Sequence, residues 1–307
     1  MRIVVNVHSH SHSGTGKVLT WSSAATLIFV VIEVVAGLRA SSLALLSDAG
    51  HNFTDALALV LAAFAASLQS KPADDKKTFG YHRAGVLAAF VNAITLILIA
   101  GFIFYEGWQR LLNPKPVGSG TMLIVAAAAL ILNGAIMWSL HADRKHDLNI
   151  RAAFIHMMGD ALGAVGIIAG AIAIRYTGWQ QIDPALSIVI GGLIVWTAWD
   201  IIKESLNVLL EGLPSGIALG AVTDAMRTVE GVVDVHDLHI WSLGSNAHAL
   251  CCHVLIEDMP PSASDTILRQ INQVLSSFHI HHTTIQFEHA KCALSDSRCS
   301  IVMHHEH

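Results

Sequence analysis

Six times between residues 18 and 209 the chain runs apolar for more than twenty residues: near 18–38, 43–68, 83–111, 119–141, 150–175 and 184–209. Each run can cross about 30 Å of hydrocarbon as a helix. In lipid no water meets the backbone, so a spanning segment must satisfy its own N–H and C=O groups, and a helix does so. Charged residues make up only 13% of the chain, against about 25% in a typical soluble domain. The breaks between runs are polar: Lys71-Pro72-Ala73-Asp74-Asp75-Lys76-Lys77, Asn113-Pro114-Lys115-Pro116, His141 to Asn149, and Tyr176 to Pro184. The first run carries Glu33 and shows no cleavage-site pattern, so it reads as a retained span and not as a signal peptide.

Loop charges orient the spans. The breaks after spans two and four hold Lys71, Lys76, Lys77, Arg83, Arg144, Lys145 and Arg151. The other side offers Arg39, Arg110, Lys115 and Arg175. Seven cations against four place the first set, and with it both termini, in the cytosol. After Glu211-Gly212-Leu213-Pro214 the pattern changes. Ala218 to Val229 and Ser264 to Phe278 have helical periodicity; Val232 to Leu243, Ala247 to Glu257 and Thr283 to Glu288 alternate like strands. The expected fold is an all-α six-helix transmembrane domain at 18–211 and a small cytosolic α+β, ferredoxin-like domain at 212–290. Tails at 1–17 and 291–307 flank them. No basic stripe accompanies the aromatic residues, which argues against nucleic acid as a partner.

The chemistry lies within the spans. Span two contains His51-Asn52-Phe53-Thr54-Asp55-Ala56-Leu57, and span five contains His156-Met157-Met158-Gly159-Asp160-Ala161-Leu162. Both read His-x-x-x-Asp-Ala-Leu, 105 positions apart. Residues at i and i+4 share a helix face, about 5–6 Å apart. Each span therefore points an imidazole and a carboxylate the same way. Should the two faces meet, His51, Asp55, His156 and Asp160 would supply two nitrogens and two oxygens. Zinc accepts that set, commonly as a tetrahedron, and two carboxylates balance its charge. Magnesium and calcium ask for more oxygen; cobalt, nickel and copper(II) stay competitive. An ionised group at mid-bilayer costs about 2.5–3.5 kcal/mol even on lenient scales, so two matched motifs there imply a task beyond helix packing. Asp48 precedes His51 by three residues. It is read as orienting that imidazole, as part of an access path, or as a water-facing residue near the span's end. Glu33 either lines a polar pathway or pairs with a neighbouring donor.

Four motifs in order carry a family resemblance. Ser42-Leu43-Ala44-Leu45-Leu46-Ser47-Asp48-Ala49-Gly50-His51-Asn52 resembles the second-helix signature of the cation diffusion facilitators. Phe79-Gly80-Tyr81-His82-Arg83 resembles the loop entering their third helix. The His156-to-Asp160 motif and Val235-His236-Asp237-Leu238-His239-Ile240-Trp241 are similar to landmarks of helix five and the cytosolic domain. The likeness runs from about Lys17 to Glu288 and points to the zinc-preferring branch, which includes bacterial zinc/cadmium/cobalt exporters and vesicular zinc transporters. It implies a homodimer, multi-pass in the lipid bilayer of a bacterial inner membrane. It also implies that Zn2+ leaves the cytosol in exchange for protons by alternating access, with Co2+ or Cd2+ as further substrates. The transport ligands would be His51, Asp55, His156 and Asp160.

The resemblance further implies zinc in the cytosolic domain, structural or regulatory, at His236, His253 and Glu288 with His281 just before. A contact between His281 and His82 toward the membrane domain is also implied. Histidines on an exposed strand are otherwise solvated surface. His8, His10, His12, Cys292 and Cys299 are further possible metal captors, although six residues separate the two cysteines where some relatives space them Cys-x-x-Cys. Gly85 stands where many relatives carry Glu. Adjacent Cys251 and Cys252 read as packing residues. The chain has neither His-Glu-x-x-His nor Gly-x-Ser-x-Gly, which argues against an intramembrane metalloenzyme. A metal-sensing receptor would need no ligand set inside the membrane.

Overall fold

The computed structural model describes residues 13–141, 148–244 and 247–290, with side chains from residue 25 onward except 148–150 and 152. His8, His10, His12, Arg144, Lys145, Cys292 and Cys299 lie outside the described residues.

Six long helices come first: α1 Ser13–Ala40, α2 Leu43–Gln69, α3 Ala84–Leu112, α4 Ser119–Leu140, α5 Leu148–Thr177 and α6 Ile182–Leu209. Among the described residues five segments, in α2 to α6, are long and apolar enough to cross a membrane. The exterior of these helices is itself apolar. Leu98, Phe102, Ile124, Ile131, Trp138, Leu162 and Trp196 are all exposed, a surface that water would not tolerate and lipid does. The chain divides into two compact units. The first comprises the chain up to Val60 and Asn92–Asp200. Its core joins Ala44 and Leu45 of α2, Met122, Val125 and Ala126 of α4, and Ile167, Ala171 and Ile174 of α5. Alanines at these contacts let the backbones approach closely. Gly118 shows the same economy of space. A Cβ there would sit 3.2 Å from the Ala40 Cα, and its N–H donates to the Ala40 carbonyl at 2.8 Å.

The second unit takes Leu61–Val91 and the chain from Ile201 onward. Its later part runs α7 Leu219–Arg227, β1 Val232–Gly244, β2 Ala247–Ile256, α8 Pro261–Ser276 and β3 Ile280–Glu288. This is the ferredoxin-like β-α-β-β-α-β order without its first strand. β1 and β2 pair antiparallel, and β2 and β3 pair parallel across the α8 crossover. One face of α7 and of α8 closes on the sheet through Val222, Met226, Ile267, Ile271 and Leu275. α8 starts three residues before its expected first residue because Pro261 sits at its N-terminus, where a missing N–H costs nothing. β3 also starts three residues early, at Ile280. His281 and His282 break the apolar alternation that marks the rest of that strand.

Candidate metal centres

The α2 and α5 faces meet. His51 Nε2 lies 3.7 Å from Asp55 Oδ2 and 3.6 Å from Asp160 Oδ1. His156 Nε2 lies 3.1 Å from Asp55 Oδ2 and 3.7 Å from Asp160 Oδ2. Each imidazole thus faces both carboxylates, and each carboxylate faces both imidazoles. The ring centroids of the histidines are 5.9 Å apart. A tetrahedral ion with bonds of about 2.0–2.2 Å requires ligand–ligand edges of about 3.3–3.6 Å. The four nitrogen–oxygen separations bracket that range, the two to Asp160 being to different oxygens; with one atom from each residue, His51, His156 and Asp160 come within 4.8 Å of one another. Asp160 is buried at 7% exposure, while His51, Asp55 and His156 keep part of their side-chain surface open, at 26%, 31% and 42%. The site is therefore anchored on one side and reachable on the other.

A polar layer backs it. Asp48 is buried, which removes the water-facing reading. Glu33 is wholly buried on α1. Its Oε2 accepts a 3.1 Å bond from Asn52 Nδ2, and its carboxyl also lies against that of Asp48. Asn52 thus supplies the neighbouring donor that one reading of Glu33 required. At the start of α2 a different acid acts: Asp183, from the first turn of α6, accepts from Ser42 Oγ at 2.6 Å and from the Leu43 N–H at 2.7 Å. Asp183-Pro184 opening a helix looks like that helix's own cap, and only its contacts reveal otherwise.

The second centre is in the sheet. Antiparallel register sets His236 opposite His253, with ring centroids 5.5 Å apart. Parallel pairing brings Glu288 opposite Leu255, two residues beyond His253. Glu288 Oε1 lies 2.8 Å from His253 Nδ1. His236 Nε2 stands 3.2 Å from Glu288 Oε2 without hydrogen-bond alignment. Both His236 ring nitrogens and that oxygen are consequently buried without a partner. Buried imidazole nitrogens are rarely left so, and a metal ion would satisfy one of those nitrogens together with the Glu288 oxygen. From the far side Asp237, held at φ 49° in an irregular stretch of β1, places Oδ2 3.9 Å from His253 Nε2 and Oδ1 3.0 Å from His239 Nε2.

His281 does not join this cluster. It lies at the opposite end of β3, between the residues paired with His248 and Ala249. Glu288 follows it by seven positions, about 23 Å of strand. The ring from this end that meets the Phe79-to-Arg83 loop is His282, edge-on to Phe79 at 5.2 Å. His82 turns its carbonyl to Gln69 Nε2 at 3.0 Å. His248 at the same end is held below the usual imidazole range by burial and by His279 and His281. Burial pushes the Cys252 thiol up to about 12 and raises Cys251 too. Metal binding needs the thiolate, so both stay packing residues.

Two family models cover the chain. The cation efflux transmembrane domain matches residues 19–210. The cytoplasmic domain of cation efflux proteins matches residues 214–290. The chain belongs to the cation efflux family. It is accordingly a multi-pass membrane transporter of metal cations and not an enzyme. Among its relatives, the zinc transporter ZitB of Pectobacterium atrosepticum is 43% identical over 98% of this chain and 93% of its own. The metal cation efflux system protein CzcD of Cupriavidus metallidurans is 41% identical over 94% and 92%. The cadmium, cobalt and zinc/H(+)-K(+) antiporter of Bacillus subtilis is 39% identical over 92% and 91%.

Proposed function

We propose that this cation efflux protein exports Zn2+ from the cytosol in exchange for protons, with His51, Asp55, His156 and Asp160 as the transport site. The carrying observation is the closed ring of four nitrogen–oxygen separations between 3.1 and 3.7 Å. Two carboxylates neutralise the dication, so the loaded site carries no net charge through the hydrocarbon. The same groups hold protons when metal is absent. A His156 Nε2 to Asp55 Oδ2 contact of 3.1 Å is a hydrogen bond with one proton on it, and entering metal must displace that proton. Metal and protons thus compete for one set of atoms, which is the physical requirement for exchange. The relatives' printed names, a zinc transporter and a cadmium, cobalt and zinc antiporter, support Zn2+ as cargo with Cd2+ and Co2+ as further substrates.

Asp48 backs the site as a positioning or pathway residue, and Glu33 with it. His236, His253 and Glu288 would hold a resident zinc ion that ties the sheet edges and regulates transport; His281 and His82 lie apart from it. The lysine and arginine bias of the loops supports cytosolic termini, and the bacterial relatives support the inner membrane. The match to the cytoplasmic domain of cation efflux proteins supports a homodimer. The division into 18–211 and 212–290 rests on the change of residue pattern after Glu211. Purified protein in liposomes should take up zinc when the lumen is acid and lose uptake when the gradient is collapsed. Asp55→Ala should abolish uptake. Gradient-independent uptake would refute exchange, and normal uptake by Asp55→Ala would refute the site.

A further inference from the structure

Asp183 lies in the first turn of α6, yet its carboxylate serves another helix. Oδ1 accepts from Ser42 Oγ at 2.6 Å and from the Ala44 N–H at 3.2 Å, and Oδ2 accepts from the Leu43 N–H at 2.7 Å. Ser42 Oγ in turn accepts from the Leu45 N–H at 3.2 Å. The first N–H groups of α2 have no partner within their own helix. They are satisfied here by a residue 139 to 141 positions away. The carboxylate also meets the positive end of the α2 dipole. Asp183 and Ser42 are both fully buried, so water offers no substitute.

The turn just before α2 is held as tightly. Ser41 adopts φ 53°, and its carbonyl accepts from Arg110 Nη1 of α3. The Ala40 carbonyl accepts from the Gly118 N–H ahead of α4. The start of α2 is therefore tied to α3, to the α4 entrance and, by charge, to α6. His51 and Asp55 follow Leu43 by eight and twelve residues, about 12 and 18 Å along the same rigid helix. A shift or rotation of the α2 start is carried to both.

We propose that Asp183 is a positioning residue for the transport site: by capping α2 from α6 it sets the height and rotation of His51 and Asp55. The metal affinity of the α2 half of the site then depends on a helix that supplies none of the four ligands. The inference rests on the reading of His51 and Asp55 as transport ligands.

The test is zinc uptake by liposome-reconstituted full-length protein as a function of zinc concentration. The variants are Asp183→Ala, Asp183→Asn, Ser42→Ala and the double variant Asp183→Ala with Ser42→Asp, with Asp55→Ala as reference. Asp183→Ala removes every bond across the tie and should raise KM about tenfold or more, the range for lost charge-assisted bonds, with a smaller change in kcat. Ser42→Ala keeps both backbone bonds and should raise KM less. Asp183→Asn keeps one carbonyl oxygen and a similar shape; it should fold even where Asp183→Ala does not, with an intermediate KM. The double variant gives the α2 cap at position 42 a charge of its own but leaves no tie to α6. It should recover thermal stability while KM stays raised. Recovery of wild-type KM in the double variant would show that a local cap suffices and would overturn the proposal. An unchanged KM in Asp183→Asn and Ser42→Ala would do the same. Retained flux in Asp55→Ala would instead remove the transport-site reading, whatever the Asp183 variants show.

Discussion

Asp160 is the most buried of the four transport-site residues, and each of its oxygens faces a different histidine, at 3.6 and 3.7 Å. Asp160→Asn keeps its shape and removes one negative charge. With Zn2+ loaded, neutral histidines and Asp55 ionised, the site then carries one uncompensated positive charge. An isolated charge at the centre of a spanning helix costs about 2.5–3.5 kcal/mol on the insertion scale. At about 1.36 kcal/mol per factor of ten, that is roughly 60- to 400-fold in kcat/KM. Loss of a ligand oxygen adds to it. Asp55 is less enclosed by protein, at 31% side-chain exposure, and water entering from that open side would screen the charge left by Asp55→Asn. Its loss should be the smaller of the two. The assay is initial zinc uptake by reconstituted protein with an acid lumen, measured from limiting to saturating zinc. Activity of Asp160→Asn within about threefold of wild type would refute the neutral loaded site, against the 60-fold minimum. A larger loss in Asp55→Asn than in Asp160→Asn would refute the burial argument while leaving the site in place.

Other outcomes follow from the same geometry. His51→Asp exchanges a borderline nitrogen for a third carboxylate, adds a negative charge and loosens the geometry of the site, and should raise the cadmium-to-zinc uptake ratio; competitive uptake reads it, and an unchanged or lowered ratio counts against His51 as a selectivity ligand. His236→Ala with His253→Ala should lower flux at limiting zinc by about fivefold or more, the low end of ordinary coupling between sites, and leave flux at saturating zinc near normal. Equal loss at both concentrations would contradict a regulatory role. His248 is lowered by burial and by His279 and His281. Its contribution to stability is full above about pH 6.5, the unperturbed value, and is lost as pH falls toward and through the lowered value. Melting of the wild-type protein at pH 7.5 and 5.5 should therefore differ more than melting of His248→Gln; an equal difference would discount His248.

The six helices and their order follow from the sequence because the bilayer leaves a spanning segment no other way to satisfy its backbone. The expected runs differ from the observed helices by a few residues at their ends. The two His-x-x-x-Asp pairs are equally local, since helical periodicity alone puts each pair on one face. Convergence is another matter. That Asp55 lies 3.1 Å from His156 across 101 positions depends on how α2 and α5 pack, which no local pattern encodes. In the C-terminal domain the ligand types were visible, but strand register decided their company. Pairing sets His236 against His253 and leaves His281 at the far end of β3. Asp183 is the sharpest case. An acid before proline at a helix start looks complete in sequence. Only tertiary packing brought a neighbouring helix start, with its unpaired N–H groups, within 2.7 Å of that carboxylate, because the need for a buried acceptor belongs to α2 and not to the helix that carries it.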